Sequence, residues 1–362
     1  MHILISFLIF GVLVIVHEWG HFYVARRAGI FVEEFAVGMG PLLLSKRDKL
    51  GTLYSIRLLP IGGYCKMYGM EGSDTEQDPD AVQRPNSQSY QHKSVFARMA
   101  VILAGSFMNF VLAFVLLLVI TASNGFSSLT VSQVAPGSPA YVAGLQGGDR
   151  LTHMGGRRLF VFQDAGPAIA AVGANPSTLT INREGQSLSL PVTPTLGPAG
   201  NYILGFTPQG FAGLAGPDTL PQATAWQVVS QSFNHTVYFT RLIGYGLIQL
   251  ATFNVSTDDV AGPLGIVGVI GDVYQQAATV SPWAVTVQMM HLAALLSANL
   301  GLFNLLPIPA LDGGRMVFLS VEAVRGKAMD PSKEGVVHLV GFVLLLGLIA
   351  FVFFNDIANL FR

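Results

Sequence analysis

Charged residues are scarce in this chain of 362 residues. Only 11% of its residues are Asp, Glu, Lys or Arg, whereas a typical soluble protein has about 25%. Hydrophobic residues make up 51% of the chain, so polar groups cannot cover the surface of a globular fold and lipid must cover part of it. The composition therefore predicts a membrane protein, part of whose surface contacts the lipid bilayer.

Cysteine and an excess of basic charge are also missing. Cys65 is the single cysteine, which excludes an internal disulfide framework. The 20 basic and 21 acidic residues give a net charge of −1, which offers no basic surface for nucleic acid. The 40 glycines and 19 prolines follow no Gly-X-Y period, so they indicate broken helices and turns rather than a fibre.

Four segments are apolar enough to cross a bilayer, which takes about 20 mainly apolar residues. Residues 99–122, 284–306 and 336–354 meet this requirement directly. Residues 1–25 meet it too, although polar residues interrupt the segment after Val16. A cleaved signal peptide would have a basic start and a small-residue cleavage site, and this segment has neither. We therefore predict a polytopic α-helical membrane protein with four transmembrane helices.

The distribution of basic residues predicts the orientation. The first loop, 26–98, holds ten of the twenty, and the short third loop holds four more. The long second loop, 123–283, has few for its length. By the positive-inside rule the first and third loops are cytoplasmic, so both termini and the second loop are expected to be extracytoplasmic.

The first loop contains a β-like segment at about 51–69, with strands expected at 52–60 and 61–67 around a turn rich in Pro and Gly. Its apolar residues predict a membrane-associated β-hairpin. The stretch from 71 to 94 is polar and is expected to be a flexible linker that leads into the second span.

The second loop begins with a β-rich domain at 126–212. Its strings Gly137-Ser138-Pro139-Ala140 and Gly148-Asp149-Arg150-Leu151 resemble a PDZ domain of the bacterial protease type, which would bind a peptide C-terminus; a generic β-barrel domain is the alternative. Residues 213–282 are expected to be an extracytoplasmic linker. It would contain one amphipathic helix, at about 225–253, lying on the outer membrane surface.

The first span carries the sequence His17-Glu18-Trp19-Gly20-His21, which is H-E-x-x-H. Histidines four residues apart lie on one face of a helix, so both can bind one Zn²⁺. The glutamate can then contact a metal-bound water and take its proton as general base. Two histidines packed against a neighbouring helix are the alternative, but ionisable groups at membrane depth are costly and indicate function.

A catalytic zinc needs a third protein ligand and an open position. The last two spans offer His291, Asp312 and His338. Asp312 follows Pro307 and Pro309, which break the helix, and broken backbone at membrane depth is tolerated only where protein buries it or it lines a cavity. A carboxylate on such a break suits a metal ligand, whereas a helix-capping aspartate at the membrane face is the alternative. The two histidines are better explained by packing or hydrogen bonding.

Together, H-E-W-G-H in the first span and N-L-L-P-I-P-A-L-D-G-G, residues 304–314, resemble the site-2 protease family of intramembrane zinc metalloproteases. The chain is most similar to its regulator of sigma-E protease group. Further similarities cover nearly the whole chain: Gly38-Met39-Gly40-Pro41, Ala104-Gly105 with Asn109-Phe110, residues 258–266 and Phe354-Asn355-Asp356.

The resemblance implies that His17, His21 and Asp312 bind zinc, that Glu18 is the base, and that Asn304 and Asn299 lie near the site and bind substrate or its oxyanion. It implies a bacterial cytoplasmic membrane enzyme whose active site lies toward the cytoplasmic side. Its substrates would be single-pass membrane proteins such as anti-sigma factors, trimmed first by another protease, and remnant signal peptides. The hairpin would take the unwound substrate as an added β-strand.

Two departures from the family pattern are visible. The group usually carries two tandem PDZ domains, whereas this chain has one PDZ-like string, and Ser106 stands where the family usually has proline. Two other functions remain as alternatives: a non-catalytic membrane scaffold that presents the PDZ-like module, and a transporter whose broken third span lines an ion path. An intact Glu18 favours the protease, since a scaffold has no need of a base.

Overall fold

A computed structural model describes residues 2–70, 85–213, 220–252, 262–327 and 331–360. The chain divides into two compact units, one made of Met1–Ala113 with Ile243–Arg362 and the other of Phe114–Leu242. The predicted linker at 71–94 lies outside the described residues as far as residue 84, and so do residues 258–261 of the 258–266 motif.

The helices and strands have the following bounds. The helices are α1 (His2–Arg27), α2 (Val95–Asn124), α3 (Pro139–Val142), α4 (Ala165–Val172), α5 (Ala225–Ala251), α6 (Pro263–Ala278), α7 (Pro282–Asn304), α8 (Asp312–Arg325) and α9 (Pro331–Leu360). The strands are β1 (Val32–Arg47), β2 (Leu53–Met67), β3 (Phe126–Val134), β4 (Arg150–Met154), β5 (Arg157–Arg158), β6 (Ser177–Arg183), β7 (Gln186–Val192), β8 (Thr195–Leu196), β9 (Tyr202–Ile203) and β10 (Phe206–Phe211).

Four helices are long and apolar enough to cross a membrane, as the sequence predicted. The candidate spans are Ile3–Arg27, Val95–Asn124, Pro282–Asn304 and Lys333–Ile357. Each extends a few residues beyond the predicted apolar segment or shifts by a few residues, because a helix continues into the polar flanks for as long as its backbone hydrogen bonds persist. The chain therefore has the helices of a membrane protein.

The first loop forms a β-hairpin, but its strands are β1 and β2, so the predicted hairpin at about 51–69, with 52–60 paired to 61–67, is wrong. Both segments belong to β2, and a segment of β1 lies between them: Phe35 pairs with Tyr54 on one side and with Cys65 on the other. Bends at Gly38 and Gly62, with φ of +86° and +82°, turn the two long strands, and glycine adopts such angles at little cost. The result is a small antiparallel sheet built from two bent strands.

The third span is interrupted as predicted. α7 ends at Asn304 and α8 begins at Asp312, because Pro307 and Pro309 lack the N–H that a helix requires. Gly313 and Gly314 let the break fold back closely: a Cβ on Gly314 would lie 2.9 Å from the carbonyl carbon of Ile308. Because of this close approach, the first turn of α8 packs against the backbone of the break.

The description of 213–282 as a linker with one helix is wrong for its last third. The amphipathic helix is present as α5, but a second helix, α6, occupies Pro263–Ala278. The N-terminus of α6 is held by a buried carboxylate of α9, since Asp356 accepts hydrogen bonds of 3.0 Å from the N–H groups of Gly262, Leu264 and Gly265. A carboxylate at the positive end of a helix stabilises it, so this distant residue fixes a helix that the glycine-rich sequence conceals.

The second unit contains a six-stranded sheet in which β10, β3, β4, β6 and β7 are neighbours in that order and β5 pairs with β4. Apolar side chains of β3, β4 and β6, such as Val131, Leu151 and Ile181, are almost completely buried in its core. The strands begin and end close to the predicted domain limits of 126–212.

Asp149 explains one of the PDZ-like strings. Its carboxylate accepts two hydrogen bonds of 2.7 Å from Arg183 and one of 2.8 Å from the N–H of Gln146. Burial opposes ionisation, but these bonds hold the pKa of Asp149 below its ordinary value. The aspartate of this string therefore joins β6 to the turn before β4 and has a structural role.

Candidate metal centre

The site is built first on α1, whose helical geometry places His17 and His21 one turn apart on one face. Both rings are buried, with 7% and 6% of their surfaces exposed. α2 packs closely against this part of α1, because Gly20 has no side chain and a Cβ there would lie 2.9 Å from Met108 Cγ and overlap the carbonyl of Ala104. The histidines are thus held between two spanning helices.

Asp312 meets the two histidines at the end of the break. Its Oδ2 lies 3.2 Å from His17 Nε2 and 3.3 Å from His21 Nε2, and the two Nε2 atoms are 3.1 Å apart. Among the described residues, this is the one group of three or more His, Cys, Asp or Glu side chains that converge closely enough to hold a metal ion. The three residues come from two elements that are far apart in sequence.

The separations of these donor atoms fit a tetrahedral zinc site. Ligand bonds of about 2.0–2.2 Å at tetrahedral angles put neighbouring donor atoms about 3.3 Å apart. The three observed separations, 3.1 to 3.3 Å, agree with this value. Three ligands leave the fourth position of the tetrahedron for water or substrate, which is the pattern of catalytic rather than structural zinc.

The hydrogen bond of His21 indicates which nitrogen is available to a metal. Nδ1 lies 2.8 Å from the carbonyl oxygen of Val101, which can only accept a proton, so Nδ1 carries the hydrogen and Nε2 of the neutral ring has a free lone pair. That lone pair faces a carboxylate oxygen of Asp312 at 3.3 Å. Two lone pairs at this distance repel each other unless a cation lies between them.

His17 is oriented by α2 as well. The side-chain amide of Asn109, fully buried, lies with Nδ2 3.0 Å from His17 Nδ1. Rotating this amide by half a turn presents Oδ1 to the ring, and the amide then accepts a proton from Nδ1 and frees Nε2 for the metal. Ser297 of α7 fixes the backbone here through a 2.7 Å hydrogen bond to the carbonyl of Asn109.

Gly105 provides room for both rings. A Cβ on this residue would overlap the ring of His21 and lie 2.8 Å from Cε1 of His17. In the sequence alone, Gly105 and Asn109 are only points of resemblance, and nothing distinguishes Val101. The spacing Gly105-x-x-x-Asn109, one turn of helix, is the signal that could have assigned them a shared face toward the site.

Glu18 lies next to the histidines on α1 and is partly buried. Its Cγ would be 3.8 Å from a Cβ on Gly63 of β2, so the side chain lies beside this strand. In the part of the chain that the structure describes, residues 63–67 of β2 pair with β1 on one side only. An open strand edge therefore lies beside this carboxylate.

The remaining predicted residues are separate from the three converging atoms. Asn304 ends α7, and Asn299 is farther back on the same helix with a buried Oδ1 that has no hydrogen-bond partner. His291 is also on α7, and neither it nor His338 belongs to the group that could hold a metal. His338 instead accepts a hydrogen bond of 3.0 Å from the N–H of Ala310.

Comparison with known proteins indicates that the chain is a protease. Residues 5–348 match the model of peptidase family M50. A protein of Clostridium perfringens, provisionally named a zinc metalloprotease, is 36% identical over 99% of this chain and 98% of its own length. The zinc metalloprotease RasP of Geobacillus kaustophilus is 32% identical over 99% of this chain and 98% of its own length. The chain therefore belongs to peptidase family M50, the site-2 proteases, and is a membrane-embedded zinc metalloprotease of that type.

Proposed function

We propose that this intramembrane protease hydrolyses peptide bonds within or near the transmembrane segment of single-pass membrane proteins. The observation that carries the proposal is the convergence of two histidines and a carboxylate within helices long enough to cross a membrane. Charged and metal-binding groups at that depth are costly unless they serve a function, and a site there can reach peptide bonds that the bilayer hides from soluble proteases.

The proposed ligands of the zinc are His17 Nε2, His21 Nε2 and a carboxylate oxygen of Asp312. A zinc ion bound there would supply Lewis acidity, which would lower the pKa of a bound water toward neutrality and would polarise a peptide carbonyl. Val101 and Asn109 keep the two imidazole rings in the orientation that binding requires, through contacts of 2.8 and 3.0 Å to their Nδ1 atoms.

Glu18 is the proposed general base. It is on the same turn of α1 as the ligands, so its carboxylate can take a proton from the attacking water and later donate it to the amine nitrogen of the broken peptide bond. Its side chain lies next to Gly63 of β2, which puts the carboxylate beside the strand edge. Proton transfer and substrate alignment then occur at one place.

The open edge of β2 is the proposed position of the substrate backbone. A helical substrate hides its peptide bonds in its own hydrogen bonds, so it has to unwind before it can be cut. An edge strand replaces those lost bonds with its own N–H and C=O groups. Residues 63–67 offer such an edge beside Glu18, and other apolar side chains of the hairpin, including Leu42, Leu43, Leu44 and Leu58, are exposed as a membrane-associated element requires.

Asn304 is the better candidate for contact with the substrate or its oxyanion. Ser297 contacts Asn109 of α2, and a Cβ on Gly301 would lie 3.0 Å from the carbonyl oxygen of Ser106. Asn304 follows Ser297 by two helical turns and so lies on this same face of α7, whereas Asn299 is rotated from it by about 200°.

We expect Asn304→Ala to lower kcat/KM for a membrane substrate by about 10²-fold, as the loss of one oxyanion donor does. Asn299→Ala is the matched control and should change kcat/KM by much less. Both variants should keep their zinc, measured by elemental analysis, because neither side chain contacts the ligand group. An equal loss in both variants would contradict the assignment.

The proposed orientation follows from the basic residues: both termini and the β-rich unit are extracytoplasmic, in a bacterial cytoplasmic membrane, and the active site lies toward the cytoplasm. In this arrangement the PDZ-like unit is on the side of the membrane where the outer part of a substrate lies. We propose that it acts as a size filter or binds the C-terminus that a first protease exposes, with anti-sigma-factor-like proteins and remnant signal peptides as substrates.

The decisive experiment uses the purified full-length protein in liposomes with a model single-pass substrate. The substrate is supplied in two forms, one with a folded outer domain and one from which a site-specific protease has removed it. We expect cleavage of the trimmed form only, with the cut mapped by mass spectrometry to the transmembrane segment or its edge. Cleavage restricted to soluble peptides, or equal cleavage of both forms, would contradict the proposed substrate class or its gating.

A further inference from the structure

The break that carries Asp312 contains a strained residue. Ala310 has φ of +77°, a left-handed conformation in which the Cβ of an L-residue crowds the following carbonyl oxygen. Such a conformation persists only where its surroundings impose it. Ala310 is two residues before Asp312, so its φ angle helps to set the direction in which the chain enters α8.

His338 of α9 provides the restraint. Its Nδ1 accepts a hydrogen bond of 3.0 Å from the N–H of Ala310. The ring proton is then on Nε2, and the nearest carboxylate oxygen, from Glu334, is 3.7 Å from this atom, which favours this tautomer electrostatically. The imidazole is thus a fixed acceptor for a backbone donor that would otherwise be left without a partner in a region of low polarity.

α9 approaches the break closely at the same place. Gly341, one turn beyond His338, has no side chain, and a Cβ there would lie 2.8 Å from the carbonyl oxygen of Pro309 and overlap its ring. The break is therefore packed directly against α9 over adjacent residues, Pro309 on Gly341 and Ala310 on His338. This contact depends on glycine at position 341, since a larger residue there would push the break away from α9.

The position of the break matters because metal ligands tolerate little displacement. A metal or catalytic constellation must be held within about 0.5 Å of its productive geometry. The donor atoms of His17 and His21 are fixed by α1 and α2, so the third donor has to be brought to them by the backbone of residues 305–311. A rotation at Ala310 toward an ordinary φ would redirect the chain just before Asp312.

We propose that His338 is a positioning residue of the zinc site: by holding Ala310 in its left-handed conformation, it keeps the Asp312 carboxylate within reach of His17 and His21. His338 does not touch the metal in this arrangement. The inference rests on the proposed role of Asp312 as a zinc ligand, and it assigns to α9 a function in the site beyond spanning the membrane.

The test measures the zinc dissociation constant of the full-length protein in detergent, by competition with a chelator of known affinity. His338→Ala should weaken zinc binding about tenfold, the lower end of the range for residues that orient ligands. His338→Asn should bind zinc nearly as tightly as the parent, because the asparagine Oδ1 takes the place of Nδ1 as acceptor. His291→Ala controls for the loss of another histidine from a span and should leave the affinity unchanged.

The strain itself is tested by Ala310→Gly. Glycine adopts a positive φ without steric cost, so the loss caused by His338→Ala should be markedly smaller in the Ala310→Gly background than in the parent. Melting temperatures measured with excess chelator identify variants that fail to fold. If His338→Ala fails to fold, the zinc affinity of His338→Asn tests the proposal instead. The proposal would be overturned if His338→Ala bound zinc as tightly as the parent. It would also be overturned if His338→Asn lost as much zinc affinity as His338→Ala and if His338→Ala lost as much in the Ala310→Gly background as in the parent.

Asp312→Ala separates this inference from the proposed ligand set. If that variant binds zinc as tightly as the parent, Asp312 is not a ligand and the ligand set itself fails. If it loses zinc while the His338 variants keep it, the ligand set stands and the role of His338 is refuted.

Discussion

Replacing Glu18 by glutamine is expected to lower kcat for a membrane substrate by about 10³-fold or more while the protein keeps its zinc. The two side chains have the same shape, but an amide cannot accept the proton of the attacking water, and general-base catalysis contributes about 10²–10⁴-fold. Zinc should remain because the three converging donor atoms belong to His17, His21 and Asp312. A loss of turnover without a loss of metal is the expected pattern for a base.

The measurement compares single-turnover cleavage of the trimmed substrate by the parent and the variant, with zinc determined in the same samples. Glu184→Gln is the matched control, since Glu184 is exposed in the turn between β6 and β7 and far in sequence from the site. It should cleave at the parental rate. Parental cleavage by Glu18→Gln would show that another group is the base, and loss of zinc from that variant would show that Glu18 helps to bind the metal.

The parts of the site that the sequence could predict are local ones. His17, Glu18 and His21 fall on one turn of a helix, so their proximity follows from the spacing alone. Asp312 could be proposed because two prolines and two glycines mark a break in an apolar span. In both cases the metal-binding side chain and the pattern that reveals its backbone conformation are within a few residues of each other.

The residues that orient the ligands could not be predicted in the same way. His21 contacts Val101, which is 80 residues away, and His17 contacts Asn109, 92 residues away. A backbone carbonyl leaves no mark in the sequence, and a buried asparagine in an apolar helix has several explanations. Only the packing of α1 against α2, set by small residues such as Gly20 and Gly105, decides which contact is made.

The hairpin and α6 show how nonlocal partners change a local interpretation. The predicted turn near Gly62 is a bend within the single strand β2, and the segments on either side of it both pair with β1 rather than with each other. The segment of α6 was assigned to a linker, whereas three hydrogen bonds to Asp356 stabilise its first turn as a helix. Propensity is a weak prior where tertiary contacts are strong.

Removing the carboxylate of Asp312 is expected to cost more zinc affinity than any substitution outside the ligand group. Asp312→Ala leaves only the two neutral histidines as ligands. The site then lacks both the negative charge that balances the charge of Zn²⁺ and the third protein ligand. Residues that only orient ligands contribute about 10–100-fold to metal affinity, so loss of a ligand should weaken binding by more than about 100-fold. Cleavage should fall in parallel, because the lost metal supplies the activated water.

Chelator competition on the full-length protein provides the measurement, and added zinc supplies its internal control. Asp312→Ala should regain part of its cleavage at high zinc concentration, since excess metal restores occupancy by mass action, whereas Glu18→Gln should gain nothing because its site is already occupied. Asp272→Ala, on α6 and outside the group of converging ligands, is the matched control and should bind zinc like the parent. If Asp312→Ala bound zinc as tightly as this control, the third ligand would have to come from another residue, and the close approach of the break to α1 would need a different explanation.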